Sequence, residues 1–190
     1  TLNITLKDPV NGMSVLLIYS IFEGLDVIVR RCRIINSGTN EFRLTKAMSM
    51  CLDMPDDDFK MLSLQGSWAR ERIPEYRTIG HGKQSVGSVC GKSSATQQPF
   101  VALVSRDISQ TSGEVYGFHF VYSGNFLGQI EKNDQEQLRI MMGIHPQNFK
   151  YIMNPGDVFD TPEVVLVYSD EGLGKMSRTL HDLYRNHLIR

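Results

Sequence analysis

The sequence predicts a mainly β protein, an antiparallel sandwich with one helix at its C-terminus. Two observations carry that expectation. Up to Tyr168, apolar residues alternate with polar ones in short runs separated by clusters of Gly, Asn, Asp and Pro, the pattern of antiparallel strands joined by turns. After Tyr168 the apolar spacing changes to three and four, the stripe of an amphipathic helix.

The elements follow in order. Leu2, Ile4 and Leu6 share one strand face, with Asn3 and Thr5 opposite, and Asp8-Pro9-Val10-Asn11-Gly12 has turn chemistry. Residues 15–22 are apolar on both faces. Residues 27–35 form the next β-rich run, closed by Asn36-Ser37-Gly38-Thr39-Asn40. From Phe42 the phase puts Phe42, Leu44, Met48, Met50 and Leu52 on one side and Arg43, Thr45, Ser49 and Asp53 on the other. Met54-Pro55-Asp56-Asp57-Asp58 is a charged turn, and a strand resumes over 59–67. Residues 68–79 mix charge with apolar positions and 80–94 are rich in Gly, Ser and Lys, so neither stretch has a clear period. Strands return at 100–104, 115–122, 126–131 and 138–144, the last three separated by turns at Ser123-Gly124 and Asn133-Asp134. Asn154-Pro155-Gly156-Asp157 is a further turn, and 163–168 is the final strand. Leu173, Met176, Leu180, Leu183, Tyr184 and Leu188 then make the helical stripe, with Arg178, Asp182, Arg185 and Asn186 elsewhere on the wheel.

Composition narrows the class. A chain of 190 residues with 41% apolar and 22% charged residues is one globular domain with a substantial core, not a disordered one. Twenty Lys and Arg balance 21 Asp and Glu, for a net charge of −1, which argues against nucleic acid as a partner. No apolar run approaches the roughly 18 residues of a membrane span, and the opening residues alternate like a strand, unlike a secretory leader. The start at Thr1 and the end on a helix without a Gly or Pro stop point to a piece of something longer. Cys32, Cys51 and Cys90 are spaced 19 and 39 apart, which fits neither a disulfide framework nor a zinc site. Cys32 and Cys51 are expected to be small buried hydrophobes in a protein of a reducing compartment.

Motifs for self-contained chemistry are absent. Gly87-Ser88-Val89-Cys90-Gly91-Lys92-Ser93 imitates a phosphate-binding loop but has three residues between its glycines where four are needed, and no helical stripe follows. A flexible turn is the expectation there. The histidines at 81, 119, 145, 181 and 187 form no metal-ligand spacing, so no metal is expected. His119, between Phe118 and Phe120, faces away from them, to the surface or a pocket, while His181 and His187 are solvated. Asp56, Asp57 and Asp58 read as a solvated turn, and no nucleophile motif is present.

One segment stands apart: Gln65-Gly66-Ser67-Trp68-Ala69-Arg70-Glu71-Arg72 holds the only Trp of the chain. Indole beside Arg and Glu suits a sugar platform, since the ring takes the apolar face of a pyranose and the charges take its hydroxyls. A strand with Trp68 in the core and the charges outside is the reading the local pattern alone favours.

Gly66-Ser67-Trp68-Ala69-Arg70-Glu71-Arg72, Gln84-Ser85-Val86-Gly87-Ser88, Gly113-Glu114-Val115-Tyr116-Gly117-Phe118 and Tyr122-Ser123-Gly124-Asn125-Phe126 are in turn familiar. With Thr161-Pro162-Glu163-Val164-Val165-Leu166-Val167-Tyr168-Ser169, Gly172-Leu173-Gly174-Lys175-Met176-Ser177-Arg178 and Leu183-Tyr184-Arg185, they span essentially the whole chain. In that order they resemble the N-terminal domain of bacterial α-galactosidases of glycoside hydrolase family 36. The resemblance implies a β-supersandwich of galactose mutarotase-like fold over 1–170, incomplete at its start, and a connector helix over 171–190. That helix would lead to a (β/α)₈ barrel carrying both catalytic aspartates, a nucleophile and an acid/base of a retaining hydrolysis of terminal α-linked galactose. Both lie beyond Arg190, so no residue here is catalytic and the fragment alone is inactive; no cofactor or metal is implied.

The resemblance further implies melibiose- and raffinose-type substrates, a cytoplasmic bacterial enzyme, and homo-oligomers, tetramers when intact. In these, β-domain loops shape a neighbouring active site, and Trp68 and Arg70 are the candidates for the border of that pocket. The run after Ile73, including His81, departs from the family's more Arg-rich pattern, so contacts there are not carried over. The partners implied are the chain's own barrel, further copies and a galactoside, with no nucleic acid or membrane. An autonomous carbohydrate-binding sandwich, with Trp68 as its platform, is the alternative.

Overall fold

The computed structural model describes residues 1–55 and 58–189; Asp56 and Asp57, two of the three aspartates of the charged turn, lie outside the described residues. The first seven strands are β1 (Leu2–Lys7), β2 (Met13–Ile21), β3 (Val27–Asn36), β4 (Phe42–Leu44), β5 (Met48–Pro55), β6 (Lys60–Ser67) and β7 (Arg70–Thr78). They are followed by β8 (Gly82–Ser88), β9 (Gln97–Val104), β10 (Val115–Phe120), β11 (Phe126–Lys132) and β12 (Gln137–Ile144). The short β13 (Tyr151–Met153) and β14 (Val158–Asp160) precede β15 (Val164–Ser169). Helix α1 (Gly172–Leu183) then continues into a π-helical turn, Tyr184–Leu188.

Nine strands form one antiparallel sheet in the order β1-β2-β3-β15-β10-β9-β6-β7, with β14 also pairing β3. A second antiparallel sheet, β11-β12-β5, packs on one face, with β8 running alongside β11. Helix α1 packs on the other face, against β15 and β10.

Period-2 alternation builds both interfaces at once. In β9, Val101 and Leu103 point to the second sheet while Phe100, Ala102 and Val104 point to α1, and all five are buried. In β15, Val164 and Leu166 serve the first interface, Val165 and Val167 the second. Central strands buried on both faces therefore read as continuous apolar runs. Phe118, Phe120, Phe126, Ile130, Leu138, Ile140 and Met142, at most 2% exposed, fill the space between the sheets. Each such side chain contributes about 1.5–3 kcal/mol by leaving water. A smaller cluster of Ile34, Ala47 and Met153, with Phe42, Leu44, Phe149 and Phe159 against it, closes the corner under β4 and β13.

The helix start is secured without a side-chain cap. The first N–H groups of a helix lack internal partners. Here the Gly172, Leu173 and Gly174 amides donate to the carbonyls of Gly113 (3.0 Å), Ser109 (3.0 Å) and Gln110 (2.9 Å). That approach requires glycine: Gly172 has φ +77°, and a Cβ on it would lie 2.6 Å from the Ser112 nitrogen.

Several expectations are corrected. Residues 70–78 and 82–88 are strands β7 and β8, where the sequence had no clear period. Proline, charge and small residues mask the alternation there, because β7 is an edge strand with little to bury. Cys32 is buried as expected, but Cys51 is exposed: Met50 and Leu52 take the inward phase of β5 and leave Cys51 on the opposite one. Leu2, Ile4 and Leu6 on the edge strand β1 are likewise exposed. The helical stripe holds through Met176, Leu180 and Leu183 but not at Leu188, because the π-helical turn changes the period and leaves it exposed. No helix among the described residues is long and apolar enough to cross a membrane.

Candidate functional site at the Trp68 turn

The turn between β6 and β7 carries the segment singled out in the sequence. Ser67 pairs with Arg70, which leaves Trp68 and Ala69 at the tip. Trp68 is 90% exposed, which removes the core alternative for it. Ala69 has φ +61°, the left-handed conformation a tight turn demands at such a position and Gly or Asn usually supply. The tip has no Gly, Pro, Asn or Asp, so turn chemistry gave no signal in the sequence.

Just inside the tip the ladder is irregular. Gln65 pairs with Ile73 and Ser67 with Arg70, so Gly66 alone opposes Glu71 and Arg72. This is a β-bulge, the local device that re-aims a strand, and its extra residue is visible in Arg72, at φ +60°. Arg70 is exposed and lines a shallow groove of about 360 Å³ with Gln65, Gly66, Ser67, Ile73, Pro74 and Glu75. Among the described residues no side-chain hydrogen bond or ion pair engages the Trp68 indole or the Arg70 guanidinium, whereas Arg77 is held by Glu75 at 3.0–3.1 Å. A free indole and a free guanidinium on one turn offer an apolar platform and hydrogen-bond donors, the two elements of sugar recognition.

A second concavity, about 470 Å³, lies between α1 and the outer face of β6, β7, β9 and β10. Leu62, Leu64, Phe100, Leu173, Met176 and Leu180 give it an apolar floor, and Arg72, Gln98, His119, His181 and Tyr184 contribute polar groups. His119 lines a pocket, as its alternation with Phe118 and Phe120 predicts. Its Nδ1 is hydrogen-bonded to the Tyr184 hydroxyl, and burial holds the imidazole down to about 4 and pushes the Tyr184 phenol up. Both are neutral near pH 7, so the pair fastens the end of α1 to β10. His181 and His187 are exposed, the latter with its ring 4.9 Å from that of Phe22.

The remaining chemistry is accounted for by structure. Asp53 is held by Arg139 at 2.7 and 2.8 Å, Asp160 by Arg33 at 2.8 and 3.0 Å, and Asp58 by Arg106. Hydrogen bonds from those arginines keep Asp53 and Asp160 below the ordinary carboxylate range, the opposite of what a general acid needs. No group of three or more His, Cys, Asp or Glu suited to a metal occurs among the described residues. The glycine-flanked segment at 87–93 leaves β8 and enters no helix; the Gly91 amide donates to Asn125 Oδ1 and the Ser93 amide to the Ser123 carbonyl. It is a hydrogen-bonded turn.

Comparison with known proteins places the chain in a family. Residues 1–154 match the family model described as the glycosyl hydrolase family 36 N-terminal domain, and 158–190 match the melibiase model. The chain is 47% identical over 190 residues to alpha-galactosidase AgaA of Geobacillus stearothermophilus and 40% identical to alpha-galactosidase Mel36A of Lactobacillus acidophilus. It is covered in full by each alignment but spans only 26% of those relatives. Crystal structures of the Geobacillus enzyme in complex with stachyose and with raffinose superpose with a TM-score of 0.97 at 46% identity, covering 99% of this chain and 26% of that one. A galactose mutarotase related enzyme of Lactobacillus acidophilus, 8% identical, superposes with a TM-score of 0.52 over 90% of this chain and 68% of its own, a likeness of fold alone. The match to the first model over residues 1–154, together with the mostly antiparallel sheets and the one α-helix among the described residues, makes this chain a member of the glycosyl hydrolase family 36 N-terminal domain family.

Proposed function

We propose that the chain is the noncatalytic N-terminal β domain of an α-galactosidase that removes terminal α-linked galactose from melibiose- and raffinose-type oligosaccharides. The observation that carries this reading is the 47% identity to an alpha-galactosidase along all 190 residues, of which the chain spans 26%. In this reading residues 1–170 are the β domain, and 171–190 lead to the barrel that holds both catalytic carboxylates. The melibiase match that starts at 158 supports a continuation into that barrel. The domain serves assembly: the enzyme is a cytoplasmic homo-oligomer, a tetramer. There Trp68 and Arg70 border the sugar pocket of a neighbouring subunit, an arrangement supported by the exposure of Trp68 and the unpaired Arg70.

A chromogenic α-galactoside tests the reading. Purified 1–190 is expected to give no turnover and the full-length chain to be active, because retaining hydrolysis needs two carboxyls about 5–5.5 Å apart across the sugar bond. Turnover by 1–190 that disappears on substituting Asp56, Asp57 or Asp58 overturns it. The exposed Trp68 also suits an autonomous carbohydrate-binding module. Since Trp68 is the only Trp of the chain, its fluorescence in 1–190 titrated with raffinose separates the two. No change fits a pocket completed by another subunit, and saturable quenching fits the module.

A further inference from the structure

We propose that Gly66 is a positioning residue: with the left-handed Arg72 across from it, it holds the bulge that aims the Trp68–Arg70 turn. The inference rests on the pocket-border reading of that turn and adds the element that sets its geometry. Gly66 is closed in from two sides. A Cβ there would lie 2.6 Å from the Arg70 carbonyl oxygen and 2.8 Å from Glu71 Cα on β7, and 2.8 Å from the Ala95 carbonyl oxygen on the segment before β9. All three are main-chain atoms, so no side-chain rotation relieves the overlap. The Gly66 amide donates to the Thr96 carbonyl at 3.1 Å, which ties the bulge to that same segment.

The bulge decides which way Arg70 faces. In an unbroken strand, residues two apart share a face, so Arg70 would join Arg72, Pro74 and Tyr76 along the groove under α1. Instead Arg72 and Tyr76 line that groove, Arg70 lines the other one with Ile73 and Glu75, and Pro74 reaches both. One extra residue opposite Gly66 thus moves Arg70, and the tip with it, to the other side of β7. A side chain at Gly66 would push Arg70 and Ala95 apart and return the ladder toward even register.

A double-substitution cycle in the full-length enzyme, with raffinose as substrate, reads this directly. Trp68→Ala is expected to raise KM at least fivefold with a native-like melting curve. Gly66→Ala is expected to raise KM by a similar factor while Trp68 is present. In the double variant Gly66→Ala with Trp68→Ala, KM is expected to rise by clearly less than the product of the two single effects, because the bulge acts through the turn that carries Trp68. Should Gly66→Ala fail to accumulate, Arg72→Val enters the cycle in its place, since a β-branched residue resists positive φ and dislodges the bulge from the exposed edge strand. Wild-type KM for the bulge variant, or multiplying effects in the double variant, overturns the inference and leaves the pocket-border reading intact. Wild-type kinetics for Trp68→Ala overturn that reading, and the inference with it.

Discussion

Acidification should loosen the domain in a window where burial holds two histidines below their ordinary value, the deeply buried His119 most strongly and His145 less. His119, on β10, faces the end of α1 and is bonded to the Tyr184 hydroxyl, and burial lowers its pKa from 6.5 to about 4. The unfolded chain therefore takes up a proton on this residue before the folded one does. Stability from the neutral imidazole is complete above pH 6.5, falls as the pH drops below it, and is lost once the pH reaches the folded value near 4. At 1.36 kcal/mol per unit the loss is about 2 kcal/mol at pH 5 and about 3 kcal/mol at pH 4. The carboxylates of Asp8, Asp53, Glu75 and Asp160 are shifted downward as well, so their contribution is lost from about pH 5 downward and leaves the range between pH 5 and 6.5 to the histidines. With a urea m-value of about 2 kcal/mol/M, the midpoint of 1–190 should fall by about 1 M between pH 7 and pH 5. His119→Gln, which keeps an acceptor near Tyr184 but does not titrate, should lose most of that slope. Parallel pH profiles for wild type and variant between pH 5 and 6.5 would refute the reasoning.

Thiol reactivity should follow exposure and the groups around each sulfur. Cys90 is exposed, and hydrogen bonding from Ser88 and the Lys92 backbone holds its thiol below the usual range; Cys32 is buried, and desolvation pushes it up. A chromogenic disulfide reagent should label Cys90 first and Cys32 only on unfolding. At the helix start, Gly172→Ala should lower the melting temperature more than Gly91→Ala. Both have positive φ, but only Gly172 is crowded, by the Ser109–Ser112 backbone, while nothing lies within 4 Å of a Cβ on Gly91. The φ cost alone is about 1–2 kcal/mol, and equal effects would show that the helix start is not clamped. Leu180→Ala, which empties a contact between α1 and the large sheet, should cost about 2–5 kcal/mol by denaturant titration.

The architecture was legible wherever burial is one-sided or complete. Phe118 and Phe120 against His119, or Val164 to Val167, carry their sheet faces in the sequence because the pleat alternates strictly. What escaped notice lies where little is buried. Strand β7 carries Arg70, Glu71, Arg72 and Glu75 on a sheet edge, and β8 is built largely of Gly, Ser, Lys and Gln, so neither offers an apolar period. Cys51 was misplaced because a Cys between Met50 and Leu52 has a composition suited to burial, while its phase is not. Trp68 was ambiguous for a similar reason. Size and apolarity favour the core, and only the register fixed by Gly66 and Arg72, two residues to one, puts it at an exposed tip. A lone Gly in a strand pattern is a bulge signal, and it was the one local clue present.

The central claim is that this domain lends Trp68 to a sugar pocket on another subunit, and mixed oligomers test it most directly. One subunit type carries Trp68→Ala on an active barrel; the other carries native Trp68 on a barrel whose catalytic carboxylates are replaced. Homo-oligomers of the first type should bind raffinose weakly, and those of the second should be inactive. Co-assembled, they should recover wild-type KM in proportion to the neighbours that supply Trp68. Mixed oligomers whose KM stays at the Trp68→Ala value would contradict the account.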